Sequence, residues 1–501
     1  MMISFKSAIK LGVAATVPML SCQNSAKKPD VRPNIVFILL DDLGYSDIGC
    51  YGSSFYETPN IDRLASEGIR FTSAYASCPV SSPTRASLMT GKYPVNTGIT
   101  EWIPGRQATN HGGPYDKLLA PPFTLMLDTS ELTIAEVLRE NGYRTMISGK
   151  WHLGEDSLYW PEYQGFDINK GGWRAGQPFI SDSCNGFFSP YGNPRLEDGP
   201  AGEYMTDRQT DEALKFISDS REDPFFLYLS YYSVHNPMQA KEEHVNKFRL
   251  KADSLGLSEM NPFTREKDWI RSYMSDDFRE RILQSNPVYA AMIWSVDENI
   301  GRVLSTLKEL GISDNTIVIF TSDNGGLATS AGSPTCNYPL RAGKGWMYEG
   351  GIRVPLIIKD PMAGRQGVIA DFPVSTIDFF PTLAEYSGAE IDTSKIDGIS
   401  IVEGYKTGRF QTRPLFWHYP HYNNQGTEPG SAIRFGNYKL IDNFEKDRVE
   451  LYNLERDLSE TNDIAKSEPE KTQELLSLLK EWRKKYNAKM MEPNPGWVGL
   501  K

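Results

Sequence analysis

The stretch Asn34-Ile35-Val36-Phe37-Ile38-Leu39-Leu40-Asp41-Asp42 decides the fold. It holds an unbroken apolar run, bounded by Pro33 before it and two aspartates after it. A strand with one wet face would alternate; a strand covered on both faces need not. The run therefore predicts a central strand of a sheet buried on both sides. Working outward, helical and buried-strand patterns alternate. A helix is expected over Thr133–Asn141 and a strand over Tyr143–Ser148, then a helix over Gln209–Ser218 and a strand over Phe225–Tyr231. The longest helix is expected over Tyr289–Leu310, where apolar residues at 289, 292, 293, 296, 300, 303, 304 and 307 recur at helical spacing and Gly311 stops the run. Thr316–Phe320 follows as another buried strand. This alternation predicts an α/β fold with a mostly parallel sheet flanked by helices.

After about residue 400 the pattern changes. Short aromatic segments, Leu415–Tyr419 and Tyr438–Ile441, predict a small antiparallel sheet. A last helix, Thr472–Tyr486, carries Leu475, Leu478, Leu479, Trp482 and Tyr486 on one face. The expected organisation is a catalytic domain over 33–400 and a smaller C-terminal α+β subdomain over 401–501.

The chain has 501 residues, 40% hydrophobic and 23% charged, with net charge −11. That supports a large core and excludes a disordered protein. No basic stripe exists, so nucleic acid is not an expected partner. Lys6 and Lys10 precede the apolar Leu11–Leu20, too short to span a bilayer, and Met19-Leu20-Ser21-Cys22 resembles a bacterial lipoprotein cleavage box. The expectation is a leader over 1–22, a tether over 23–32, a lipid anchor at Cys22, and an exported lipoprotein in the periplasm or at the outer membrane. The remaining cysteines, Cys50, Cys78, Cys184 and Cys336, form no C-x-x-C pair, which argues against zinc.

Ligand sites in open α/β sheets lie beyond the carboxyl ends of the strands. Asp41 and Asp42 follow the first strand, Lys150 and His152 follow the strand ending near Ser148, His235 follows that ending near Tyr231, and Asp323 and Asn324 follow that ending near Thr321. Singly, such residues serve as turns, caps or core histidines. Together, carboxylates and an amide oxygen suit a hard divalent cation, Ca2+ in a crowded flexible site and Mg2+ in a tighter octahedral one.

Cys78-Pro-Val-Ser-Ser-Pro-Thr-Arg-Ala-Ser-Leu-Met-Thr-Gly-Lys-Tyr-Pro94 resembles the signature of the formylglycine-dependent (type I) sulfatases of the alkaline-phosphatase superfamily. The core pattern, Cys or Ser followed by Pro at +2 and Arg at +4, is met by Ser81, Pro83 and Arg85. Cys78 fails that frame, because Val80 and Ser82 stand where Pro and Arg are required. The resemblance implies that Ser81 is oxidised to formylglycine (3-oxoalanine), as in serine-type sulfatases served by anaerobic maturases. It further implies metal ligation by Asp41, Asp42, Asp323 and Asn324, steadying of the nucleophile by Arg85, and sulfate binding by Lys150 and Lys344. His152 and His235 match the family's two histidines. They are expected to deprotonate the nucleophile's second hydroxyl and to protonate the leaving alcohol, respectively; on sequence alone these two roles can be exchanged.

An exported serine-type sulfatase resembles the carbohydrate sulfatases of glycan-degrading bacteria. The resemblance thus implies a sulfated sugar of a host glycosaminoglycan, mucin or algal glycan, with a lean to galactose or N-acetylgalactosamine sulfate. Candidate sugar contacts are Trp173 and Arg174 in a Gly-rich loop, and His418 and His421 in the C-terminal subdomain. Two other readings remain at this stage: a phosphate ester hydrolase of the same superfamily, and a non-catalytic glycan-binding lipoprotein.

Overall fold

The computed structural model describes Met1 and residues 32–105, 113–264, 279–330 and 332–499. The expected leader beyond Met1, Cys22 and the tether as far as residue 31 lie outside the described residues. No helix among those described is long and apolar enough to cross a membrane.

The main sheet contains β1 (Asn34–Leu40), β2 (Ile69–Tyr75), β3 (Arg144–Gly149), β4 (Ile168–Lys170), β5 (Phe225–Ser230), β6 (Thr316–Ser322), β7 (Arg353–Lys359) and β8 (Val368–Ala370). Their spatial order is β8-β2-β7-β6-β1-β5-β3-β4, with the short Val374–Ser375 strand pairing β2 at one end. β1 runs parallel to both β5 and β6, and β3 is parallel to β5 and β4. β7 is antiparallel to both of its neighbours, which makes the sheet mixed but mostly parallel. Along β1, Val36, Ile38 and Leu40 enter one core cluster while Ile35, Phe37 and Leu39 enter the other. Both faces are thus covered, which is why the apolar run Asn34–Leu40 is unbroken.

The helices that matter for the site are α1 (Ser81–Thr90), α2 (Ile134–Glu140), α3 (Met205–Asp219) and α4 (Pro287–Glu309). α2 starts at a capping box between Thr133 and Glu136. α4 begins two residues before the apolar stripe, because Pro287 occupies its first turn and the Asn286 side chain caps Val288 and Tyr289.

The C-terminal part forms the expected antiparallel sheet, β9 (Leu415–Tyr419), β10 (Gly430–Phe435), β11 (Tyr438–Asn443) and β12 (Arg448–Asn453), in sequential order. α5 (Pro469–Lys485) lays Leu475, Leu479 and Trp482 against Ile433, Leu440 and Leu451 on one face, with Leu478 and Tyr486 packed at the margin. The opposite face meets Tyr75, Cys78, Val80, Trp346 and Tyr348. A buried ion cluster ties the two sheets: Lys439 Nζ on β11 lies 2.9 Å from Glu349 Oε1 and 2.9 Å from Glu460 Oε1, and Glu349 also binds Arg353 at 3.1 Å. The C-terminal sheet therefore backs the segment that enters α1.

Candidate active site

Strand register sets the site. Leu40 pairs with Ser322, Leu39 with Ser230, and Ser230 with Gly149, so β1, β6, β5 and β3 end side by side. The residues that follow those ends converge. At Gly149, φ is +114° and a Cβ would lie 1.9 Å from the Ser230 carbonyl oxygen, so only glycine lets the chain turn Lys150 inward there. Asp42 and His152 both have φ of 63°, and Ala342, two residues before Lys344, has 61°. Left-handed backbone at non-glycine residues is costly and collects where geometry serves function.

Ser81 is the first residue of α1, and Arg85 follows one turn later on the same face. Pro83 falls in the first turn, where a missing N–H costs no helical bond. The spacing Ser81-x-Pro83-x-Arg85 thus aims both side chains at the strand ends. Ser81 Oγ lies 3.2 Å from Asp41 Oδ1 and 3.3 Å from Asn324 Oδ1, and Lys150 Nζ donates to it at 3.3 Å. Cys78 is buried, and burial pushes its thiol well above the ordinary range, the opposite of an activated nucleophile.

Each carboxylate has its own cation. Lys150 Nζ donates to Asp41 Oδ2 at 2.7 Å and Lys344 Nζ to Asp42 Oδ2 at 2.8 Å; Arg85 grips Asp323 Oδ2 through Nε at 2.9 Å and Nη2 at 2.7 Å. Asn324 Nδ2 donates to Asp42 Oδ1 at 2.8 Å, leaving its own Oδ1 toward Ser81. Burial raises the Asp41 carboxyl to about 7 against the pull of Lys150, and Asp323 and Asp42 add to the rise. Burial acts on Asp42 as well, but Lys344 holds it below its usual value. At Asp323, Arg85 and Lys150 likewise overcome burial.

The donor set has the chemistry of a hard divalent cation site: three carboxylates, Asp41, Asp42 and Asp323, and the Asn324 amide oxygen follow adjacent strand ends. One ligand atom each from Asp41, Asp42 and His235 also lies within 4.8 Å of the others. The His235 nitrogens are already committed. Nδ1 lies 3.0 Å from the Asn236 carbonyl oxygen, which can only accept, so Nδ1 carries the proton and Nε2 accepts from Lys344 Nζ at 3.1 Å. Burial and Lys344 lower the His235 ring to about 3.

His152 has the opposite tautomer. Its Nε2 lies 2.5 Å from the Ile103 carbonyl oxygen and donates to it, while Nδ1 is buried without a partner among the described residues. Burial and Lys150 hold this ring well below its usual value, so Nδ1 offers a free lone pair. The residue that seats it, Ser82, carries no signal in the sequence. Ser82 Oγ donates to the His152 carbonyl at 3.0 Å and accepts from Ile103 N at 3.0 Å, linking both ends of that hydrogen bond.

These groups open into a cavity of ≈620 Å3 that Ser81, Lys150, His152, His235 and Lys344 line together. Of the four expected sugar contacts, only Arg174 lines it. Trp173 is half-buried against Trp160 and Phe179 and lines a different cleft with Lys170 and Arg195. His418 is buried between Ser431 Oγ at 2.7 Å and the Lys489 carbonyl at 2.9 Å. His421 is buried against Thr100 Oγ1 at 2.8 Å and the rings of Phe123 and Tyr419. His418 and His421 are packed into the core and Trp173 faces that other cleft, so none of the three lines this cavity. Cavity residues that sequence reading did not single out include Glu155, Gln177, Phe179, Asn424 and Gln425.

Comparison with known proteins decides the family. The sulfatase family model matches residues 33–389, and that for the N-sulphoglucosamine sulphohydrolase C-terminal region matches 342–489. A sulfatase of Formosa agariphila is 30% identical over 95% of this chain and 92% of its own. The chain belongs to the sulfatase family. It is a type I sulfatase of the alkaline-phosphatase superfamily, a sulfuric ester hydrolase. N-acetylgalactosamine-6-sulfatase of Mus musculus is 32% identical to this sulfatase, over 77% of the chain and 68% of the relative. Among solved structures, Ps i-CgsB in complex with k-i-k-neocarrahexaose superposes with a TM-score of 0.72 at 29% identity, covering 94% of this chain and 95% of that one.

Proposed function

We propose that this sulfatase releases sulfate from a sulfated carbohydrate, with Ser81 oxidised to formylglycine and a divalent cation, Ca2+ ahead of Mg2+, held by Asp41, Asp42, Asp323 and Asn324. The observation that carries this reading is the seat of Ser81. Its hydroxyl lies between the Asp41 and Asn324 oxygens and the Lys150 ammonium, on the floor of the cavity.

Formylglycine, once hydrated, supplies a hydroxyl that can attack sulfur and a second through which sulfate can be expelled. The cation supplies Lewis-acid polarisation of a sulfate oxygen. The protein's own side chains do the rest. Asp41, Asp42 and Asp323 are matched by Lys150, Lys344 and Arg85, so a bound divalent ion leaves the pocket positive and suited to a sulfate monoester. Lys150 and Lys344 balance charge on the sulfuryl oxygens. Lys344 donates to His235 Nε2, and this pair protonates the departing alcohol. His152, with Nδ1 unpaired, serves as the base. Arg85 fixes Asp323 and positions α1.

The carbohydrate substrate is supported by the relatives named above, one an N-acetylgalactosamine-6-sulfatase and one solved with a neocarrahexaose. A galactose or N-acetylgalactosamine sulfate is the substrate class we favour. The signal at Met19–Cys22 and the serine at position 81 further support an exported, lipid-anchored enzyme that depends on an anaerobic-type maturase. Sulfate release from a panel of singly sulfated monosaccharides and an aryl sulfate, by enzyme co-expressed with such a maturase, tests the reading. Turnover of the sugars supports it, and turnover of aryl sulfate alone rejects the carbohydrate.

A further inference from the structure

Outside the catalytic cluster, two charged residues line the described wall of the cavity: Glu155, after β3, and Arg174, after β4. They face each other, Arg174 Nη1 to Glu155 Oε2 at 3.5 Å, with both side chains about half exposed. A closed charge-assisted bond would measure about 2.7–2.9 Å. The pair is therefore a long, weak ion pair whose hydrogen bond is stretched. Arg174 is kept in place from behind, its guanidinium 5.3 Å from the Trp173 ring centre and 6.0 Å from that of Phe179. Phe179 itself is exposed and reaches the cavity.

The C-terminal subdomain contributes Asn424 and Gln425 to the same cavity. Gln425 is 6% exposed, and its Oε1 is buried with no partner among the described residues. Its backbone is pinned, the carbonyl accepting from Thr329 Oγ1 at 2.9 Å and from Trp346 Nε1 at 3.2 Å. An unpaired buried amide oxygen is costly until a donor reaches it.

We propose that Glu155 and Arg174 together bind adjacent hydroxyls of a neutral sugar ring, with Gln425 supplying a further polar contact, so that the enzyme selects substrates carrying no second anion beside the scissile sulfate. This rests on the carbohydrate reading above. Each ring hydroxyl both donates and accepts, matching a carboxylate and a guanidinium set slightly apart. The two charges cancel, so the wall exerts little net pull on an anion. A second sulfate or a uronate carboxylate placed there would gain Arg174 but would abut Glu155, and like charges at such range repel.

The test uses matured, metal-loaded full-length enzyme. Its substrates are a singly sulfated hexose or N-acetylhexosamine, the same sugar with a second sulfate, a sulfated disaccharide containing a uronate, and an aryl sulfate as reference. The neutral, singly sulfated sugar should have the highest kcat/KM of the three glycans. Arg174→Ala and Glu155→Gln should each lower the ratio of its kcat/KM to that of aryl sulfate by about 10- to 100-fold, mainly through KM, the worth of a charge-assisted hydrogen bond. Glu155→Gln should also narrow the discrimination against the doubly sulfated sugar. Preference for a doubly charged glycan, or variants that slow sugar and aryl sulfate equally, overturns the proposal while leaving the carbohydrate reading intact. Wild-type hydrolysis of aryl sulfate but of no glycan overturns both.

Discussion

Lys344 Nζ donates to His235 Nε2 across 3.1 Å, while His235 Nδ1 donates to its own neighbour's carbonyl. The imidazole is therefore neutral, and the transferable proton resides on the lysine. Removing Lys344 should matter most where the leaving alcohol is least acidic. Lys344→Ala is expected to lower kcat on a sugar sulfate by about 10²- to 10⁴-fold, the range of general acid catalysis, and to have a smaller effect on nitrophenyl sulfate. Steady-state kinetics on the two substrates check this, and equal losses would assign Lys344 to sulfate binding alone.

The three carboxylates already have cations of their own in Lys150, Lys344 and Arg85. Stripping a divalent metal should therefore abolish turnover without unfolding the chain. Chelated enzyme is expected to melt cooperatively, with a lower Tm, and to recover activity with Ca2+ more fully than with Mg2+. Calorimetry and activity measured on the same sample would read both effects.

Lys439 is fully buried between Glu349 and Glu460. Taking away one partner of a buried ion cluster leaves uncompensated charge, typically about 3–5 kcal/mol. Lys439→Ala should destabilise the protein by that amount in denaturant titration, and it should loosen the C-terminal sheet against Glu349 and the segment around it.

The same cluster gives stability a pH dependence. Burial, opposed by Lys439 and reinforced by Glu349, raises the Glu460 carboxyl from 4.5 to about 7. Its contribution is complete below the unfolded value near 4.5 and is lost as pH rises through about 7. Glu349 behaves oppositely: Lys439 and Arg353 overcome burial and hold it at about 2, so its contribution is present above 4.5 and is lost as pH falls toward 2. Glu460→Gln should therefore gain stability relative to wild type as pH is raised from 5 to 8, read from urea midpoints at each pH.

Much of this was legible in the sequence, for physical reasons. Continuous apolar runs such as Asn34–Leu40 mark strands covered on both faces, and the polar residues that follow them are carried to one edge by parallel register. Asp41, Asp42, Lys150, His152, His235, Asp323 and Asn324 could be gathered in that way without coordinates, whereas Ser81, Arg85 and Lys344 were marked by the sulfatase signature. The cavity wall could not. Glu155, Asn424 and Gln425 sit in loops without periodicity, and Ser82 acts through backbone groups that no pattern reveals. His418, His421 and Trp173 look like ligand contacts in sequence because imidazole and indole serve cores and sites alike. What separates the two histidines from Arg174 is burial, and what separates Trp173 is the cleft it faces; both are properties of packing. The antiparallel β7 within the main sheet was likewise invisible, since Arg353–Lys359 has the composition of any buried strand.

Catalysis as proposed depends on the oxidation of Ser81. The direct measurement is mass spectrometry of its peptide, from protein co-expressed with a serine-type maturase, alongside turnover. Active protein should carry Ser81 short of two hydrogens, and Ser81→Ala should lose more than about 10³-fold in turnover while keeping its melting transition. Fully active enzyme whose Ser81 remains an unmodified serine would contradict the mechanism.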